Sequence, residues 1–237
     1  MLHTFVRKLG HGARLTEEDE QVLTDLARPV RTIGPRTDIV AEGSEPRFLP
    51  LVVDGWACRY KVLENGKRQV IFLYLPGDIC EPVGKLPRVV AHPVGALTTV
   101  AFAPVSPAAV VDAARSRPRI EEALWWDLLL ASAIEREHVV NLGRRQAPER
   151  MGHLFCELHL RLAMVGLVDG LAYDLPITQA DLGDLLGLSA VHVNRSLQEL
   201  RKSGLITLRG RRLKIHDLDE LRAFSLFDAA YLHFAPR

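Results

Sequence analysis

Cysteine is scarce in this chain: Cys58, Cys80 and Cys156 are the only three among 237 residues, far apart and odd in number. That excludes a disulfide framework and fits reduced thiols in a cytoplasmic protein. Long hydrophobic runs are also missing. The longest mostly apolar stretch, Ala123 to Ile134, is interrupted by Asp127 and falls far short of the roughly 20 residues a bilayer span needs. Met1 to Gly10 holds charges but no apolar core segment, so no secretory signal is expected and no membrane partner follows. Charge of one sign is not in excess either: 30 Lys plus Arg face 29 Asp plus Glu, which excludes a polybasic tail or a long acidic block. No Ser-His-Asp elbow, Walker loop or paired-carboxylate constellation occurs, so nothing assembles a catalytic group and an enzyme is not expected.

What is present is more informative. An apolar fraction of 48% supports one large domain or two modest ones. The balanced charge is unevenly placed. Residues 176–216 hold seven basic and three acidic residues, while 121–175 and 217–237 are both net acidic. A near-neutral total therefore hides a local basic segment, which a nucleic-acid partner would use.

Residues 16–27 have the pattern of a short opening helix, with Thr16 as N-cap and Glu17, Glu18 and Asp19 in its first turn. From Ile33 to about Val111 short runs alternate with Gly and Pro. Trp56 to Leu63 and Gln69 to Leu75 flank Glu64-Asn65-Gly66-Lys67 and predict a β-hairpin, since Asn-Gly suits a turn needing positive φ. The spacing suggests a small all-β barrel or sandwich, with irregular loop an alternative for parts of 81–108. From Pro118 the period lengthens: Ile120, Leu124, Leu128, Ala131 and Ile134 recur at helical spacing. Trp125, Trp126, Leu129 and Leu130 occupy other faces. A helix apolar nearly all round is buried on more than one side. It packs either between the β-domain and a second copy or wholly inside one monomer's core. A further helix is expected from Pro148 to about Val165.

Residues 177–215 carry the clearest pattern. Thr178 is a good N-cap with Asp181 at N3, a weaker form of the capping box, and Leu182, Leu185 and Leu186 stripe a short helix ending at Gly187. Gly183 lets a second helix approach closely. Ser189 caps that helix, in which Val193, Leu197 and Leu200 face inward. Leu205–Leu208 and Leu213–His216 flank Arg209-Gly210-Arg211-Arg212 as a basic hairpin. Helix, turn, capped helix and basic hairpin make a winged helix-turn-helix. The outward residues Ala190, Val191, Asn194, Arg195 and Gln198 are types that read base edges in a major groove. Arg201, Lys202, Arg209, Arg211 and Arg212 suit phosphates, with Thr178, Ser189 and His192 at the helix starts as further backbone contacts.

The segment ITQADLGDLLGLSAVHVNRSLQELRKSGLITL (177–208) resembles the DNA-binding domain of the Crp/Fnr transcription regulators. IVAEGSEPRFLPLVVDGWACRYKVLENGKRQVIFLYLPGD (39–78) resembles that family's cyclic-nucleotide-binding-type β-roll, and the helix after Pro118 takes the place of its dimerisation helix. The resemblance spans nearly the whole chain. It implies an α+β protein with a β-roll (jelly roll) sensor over 1–118, a dimerisation helix over 119–143 and a winged helix-turn-helix over 144–237. It further implies a homodimer on a palindromic double-stranded DNA site, with Leu124, Leu128, Ala131 and Ile134 at the seam and RNA polymerase as a further partner. Arg195 matches the family's arginine, whereas Val191 replaces a glutamate of well-known members.

Other departures bear on what is sensed. Nucleotide-binding members carry a Gly-Glu pair after the Pro-Gly-Asp turn and an arginine further on. Here Glu81 is followed by Pro82, the expected arginine region reads Val94-Gly95-Ala96-Leu97, and Arg88 lies too early. A buried cyclic phosphate would lack its charge partner, so cyclic AMP is not the expected effector and the cofactor is left unknown. Iron–sulfur members carry clustered N-terminal cysteines, and none here precedes residue 58. Cys58 and Cys156 have the settings of small buried hydrophobes, with a redox role the minor alternative. His153, Cys156 and His159 advance in three-residue steps that sweep too wide an arc for one metal, so no metal site is expected. The alternative function is a small-molecule-binding module whose C-terminal domain contacts protein instead of DNA.

Overall fold

The computed structural model describes residues 4–80 and 89–233. Glu81, Pro82 and Arg88, on which part of the effector argument rests, lie outside the described residues. The chain forms two compact units: one comprises residues up to Lys67 together with Ile71–Ser132, the other Arg68–Val70 together with Ala133 onward. Among the described residues no helix is long and apolar enough to cross a membrane.

The first unit opens with two short helices, α1 (Thr4–Leu9) and α2 (Glu17–Leu26). Thr16 and Asp19 close the expected capping box on α2, each side chain accepting from the other's backbone N–H. Seven strands follow: β1 (Arg31–Ile33), β2 (Asp38–Val40), β3 (Leu49–Asp54), β4 (Ala57–Val62), β5 (Arg68–Tyr74), β6 (Val94–Ala96) and β7 (Val100–Val105). They form two antiparallel sheets, ordered β1-β7-β3 and β2-β6-β4-β5. The Asn-Gly hairpin joins β4 to β5, with Gly66 at φ 79° as its chemistry demands. In β3 and β7 Leu49 pairs with Val105 and Leu51 with Ala103, then the register slips between Val52 and Asp54. Gly55 ends β3 at φ 78°, where an added Cβ would lie 2.1 Å from the Thr99 carbonyl. No other residue fits there.

Helices α3 (Pro107–Ser116) and α4 (Pro118–Arg144) follow the sheets. Phe5, Val6 and Leu9 of α1 join Leu23, Leu49, Leu51, Val105, Val110, Ile120 and Leu124 in one apolar core. Each such side chain contributes about 1.5–3 kcal/mol when fully buried. Lys8 lies in this core with its ammonium on two carboxylates: Asp78 Oδ1 at 2.6 Å, and Asp127 of α4. Asp78 Oδ2 also accepts from the Leu75 N–H at 2.7 Å, which closes the Pro76-Gly77-Asp78 turn. Burial opposes the Lys8 charge, yet the carboxylates of Asp127 and Asp78 outweigh it and hold the ammonium above its ordinary pKa.

Helix α4 corrects one expectation. Leu124 is 2% exposed and Ile134 5%, so these two side chains of the expected seam pack within the chain itself. Leu128 and Ala131 are half-buried. The exposed apolar side chains of the helix are Trp125 (58%), Leu129, Val139 and Val140. Their spacing is less regular because polar residues interrupt it, and periodicity alone points to the other face.

The second unit contains α5 (Ala147–Met164), β8 (Ala172–Asp174), α6 (Gln179–Leu186), α7 (Ala190–Lys202), β9 (Ile206–Arg209), β10 (Arg212–Ile215) and α8 (Leu218–Phe224). Helix α5 is buried along most of its length, and Tyr173 of β8 donates to the Phe155 carbonyl at 2.9 Å. The three strands form one sheet ordered β8-β10-β9. Burial pushes the Cys156 thiol up to about 12, so it stays protonated and unreactive at neutral pH. His159 Nε2 meets the Gly170 carbonyl at 3.0 Å, and among the described residues no group of three acids, cysteines or histidines is placed to hold a metal.

His153 is buried between the rings of Phe227 and Tyr231. Burial, reinforced by the Arg145 charge, pushes its pKa down to about 3. Glu137 Oε1 lies 3.3 Å from His153 Nε2, but Arg145 claims that same oxygen at 2.8 Å, so the carboxylate offers the ring little compensation. Unfolded His153 binds a proton below about pH 6.5, and the folded one does not until about pH 3. Stability from this group is therefore lost as pH falls through that window, by about 2 kcal/mol between pH 7 and 5. The neighbouring Glu157 carboxyl is pushed up by burial and acts in the opposite sense. The difference between wild type and His153→Gln isolates the histidine. Urea unfolding of the full chain, followed by circular dichroism at both pH values, is expected to show the steeper acid loss in wild type only.

Candidate nucleic-acid interface

The interface is built from the start of α6 to the end of β10. Thr178 Oγ1 accepts the Asp181 N–H at 3.1 Å, and Asp181 Oδ2 accepts the Thr178 N–H at 3.0 Å. Gly187 ends α6 in the left-handed region at φ 63°. The Leu188 N–H returns to the Gly183 carbonyl at 2.9 Å. A Cβ on Gly183 would lie 2.7 Å from the Leu188 carbonyl, so its missing side chain lets the inter-helix turn close. Ser189 then caps α7 by accepting from the His192 N–H, and its hydroxyl also meets His192 Nδ1 at 2.9 Å.

Helix α7 is two-sided. Val193, Leu197 and Leu200 are wholly buried. Ala190, Val191, Asn194, Arg195 and Gln198 are all exposed, Val191 to 75%. With 100° per residue, Val191, Arg195, Gln198 and Lys202 fall on one stripe about a sixth of a turn wide, with Asn194 beside it. Among the described residues Arg195 makes no hydrogen bond or ion pair, so its guanidinium is free to fork onto a ligand. Asn194 is less free. Gln198 Nε2 donates to Asn194 Oδ1 at 3.0 Å, one helical turn away. The bond leaves Asn194 both amide hydrogens and a second lone pair on Oδ1, and leaves Gln198 its other amide hydrogen and its carbonyl oxygen, for a ligand.

The wing is a two-residue hairpin with Gly210 at φ 56° and Arg211 at φ 65°, the two positive φ angles of a type I′ turn. Arg209 and Arg211 are exposed at its tip. Arg212, expected on phosphate, is turned instead onto Asp169 at 2.9 Å and Asp174 at 3.3 Å. It is thus paired within the chain, at the solvent-exposed surface. Arg201 donates to the Leu208 carbonyl at 3.2 Å and ties α7 to the wing. The Thr178 hydroxyl is likewise committed, donating to Asp181 at 2.6 Å. Lys202 remains exposed, as does Lys214, a cation outside the sequence-derived set. Strand β8, which supplies Asp174, gave only a three-residue signal, too short for periodicity to reveal.

A buried helix, a tight turn, a capped helix with one polar face outward and an arginine-tipped hairpin define a winged helix-turn-helix, a module for reading duplex DNA. Comparison with known proteins agrees. Residues 149–224 match the Crp-like helix-turn-helix domain. The chain is 32% identical over 195 residues to a probable transcriptional activator of Rhizobium leguminosarum bv. viciae, covering 81% of this chain and 79% of that protein. It is 28% identical over 199 residues to the transcriptional activator protein FnrL of Cereibacter sphaeroides, covering 83% of this chain and 79% of that protein. Among solved structures, FixK2 from Bradyrhizobium japonicum shares the fold with a TM-score of 0.71 and 24% identity, over 83% of this chain and 98% of that one. The chain belongs to the Crp/Fnr family of DNA-binding transcription regulators. Regulators of this family bind DNA, act as dimers and are not enzymes.

Proposed function

We propose that this regulator works as a homodimer on an inverted-repeat DNA site, with α7 of each protomer in a major groove. The observation that carries the reading is the two-sided α7, whose outward face holds Val191, Asn194, Arg195 and Gln198 over a buried Val193-Leu197-Leu200 seam. In this reading Arg195 takes guanine by a bidentate contact, with Ala190 and Val191 beside it against the base edges. Lys202, Arg209 and Arg211 hold phosphates, joined by the exposed helix starts at Thr178, Ser189 and His192. The exposed Trp125 and Leu129 of α4 are the contact for the second copy, in place of Leu124 and Ile134. RNA polymerase is the further partner at a promoter, in the cytoplasm. Cyclic AMP is not assigned to the roll, because Val94, Gly95, Ala96 and Leu97 occupy the segment where nucleotide-binding members carry their arginine.

Enrichment of random duplexes by the full chain tests the reading. An inverted repeat is expected, and failure to enrich any duplex would overturn it. A salt titration on the enriched site then separates the wing from the recognition helix. Arg209→Ala or Arg211→Ala is expected to weaken binding to every sequence alike. Each should lower the log–log salt slope by about 0.9 per half-site. Arg212→Ala, whose charge is paired with Asp169 and Asp174, is expected to leave the slope close to wild type.

A further inference from the structure

Val191 is the most exposed large apolar side chain among the described residues, at 75%. It occupies the first turn of α7, on the stripe that carries Arg195 and Gln198. A β-branched side chain there lowers helix propensity slightly and puts two methyl groups in water, so it contributes nothing to folding. The adjoining positions on this side of the helix, Ala190 and Asn194, are also exposed. Resting on the DNA-reading assignment above, we propose that Val191 is a specificity-determining residue that selects a 5-methyl pyrimidine, thymine in ordinary DNA, in each half-site.

The chemistry follows from the groove. The only apolar group that a base pair offers in the major groove is the thymine C5-methyl, and the valine methyls have no hydrogen bond to give. An acidic side chain at this position would accept from the cytosine amino group, and valine removes that option. Register follows from helix geometry. Val191 and Arg195 are four residues apart, a rise of about 6 Å, and base pairs stack about 3.4 Å apart along a strand. The selected thymine therefore lies within about two base pairs of the guanine taken by Arg195.

The test uses the full chain and the duplex it enriches, in which each thymine of both half-sites is replaced in turn by deoxyuridine. This deletes the methyl and leaves every hydrogen-bonding group in place. One position is expected to weaken wild-type binding about fourfold per half-site, or about fifteenfold when both half-sites are changed, the worth of one buried methyl-sized group. Val191→Ala is expected to bind the thymine and uridine duplexes equally. The exposed position makes that variant safe for folding, and circular dichroism checks it. Equal wild-type affinity for all uridine duplexes would overturn the inference, as would a thymine preference that survives in Val191→Ala. In both cases the DNA-reading assignment stands, because the duplex is still bound. Absence of any enriched duplex is the separate result that removes both.

Discussion

Arg195→Ala is expected to erase discrimination among half-site sequences while leaving weak, salt-dependent DNA binding in place. Arg195 is exposed on the outward stripe of α7 and, among the described residues, engages no acid or carbonyl. Its loss therefore costs the fold nothing, and the whole effect falls on recognition. A bidentate arginine–guanine contact discriminates by about 1–3 kcal/mol. Two symmetry-related contacts thus put about 30-fold to 10⁴-fold between the enriched site and a scrambled one. The variant should retain the phosphate contacts of Lys202, Arg209 and Arg211, and with them its affinity for non-specific duplex. Arg195→Lys keeps the charge without the planar fork, so it is expected to resemble the alanine variant in specificity and wild type in salt slope. Competition binding between enriched and scrambled duplexes measures both quantities. A wild-type sequence preference in Arg195→Ala would remove Arg195 from its assigned role.

The largest effect on stability is expected from Lys8→Met. Methionine fills the space but leaves the buried carboxylates of Asp78 and Asp127 facing one another without their cation. Removing one partner of a buried ion pair costs about 3–5 kcal/mol, because the remaining charge is neither solvated nor answered. Asp78 keeps its bond from the Leu75 N–H, whereas Asp127 loses its ion pair with Lys8. The double variant Lys8→Met/Asp127→Leu removes that charge too, and is expected to recover most of the loss. Trp56, Trp125 and Trp126 all lie in the first unit, and tryptophan fluorescence reports on its unfolding alone. A single variant as stable as wild type, or a double variant no better than the single, would show that the triad does not hold the first unit together.

The two effects differ in how far the sequence announces them. The Arg195 assignment rests on local pattern: caps at Thr178 and Ser189, a leucine stripe and an arginine hairpin within 39 residues of chain. All of these recur in the structure, because capping boxes, helical stripes and tight turns depend on neighbours a few residues away. The Lys8 triad was not legible. A lysine near the start of a chain has the look of a solvated charge, and helix α1 is six residues long, too short for periodicity. Its burial depends on Asp78, 70 residues on in the chain. The ion pairs of Arg212 were hidden in the same way. It has the right type and place for phosphate, but its partner Asp169 lies 43 residues earlier.

Helix α4 marks the same division. Its length and nearly all-round apolar character follow from its sequence, but not the face that its own unit would cover. The stripe through Ile120, Leu124 and Ile134 is the more regular, and the structure turns it inward, leaving Trp125, Leu129 and Val139 outside. By itself, then, the sequence determined the β4–β5 hairpin, the long helix after Pro118, the winged helix-turn-helix and the outward residues of α7, because each is written in contacts spanning about one helical turn. Only the tertiary structure decided which apolar face of α4 stays uncovered and which cations are already paired. Those outcomes depend on desolvation and charge pairing between segments distant in the chain, and no local spacing encodes them.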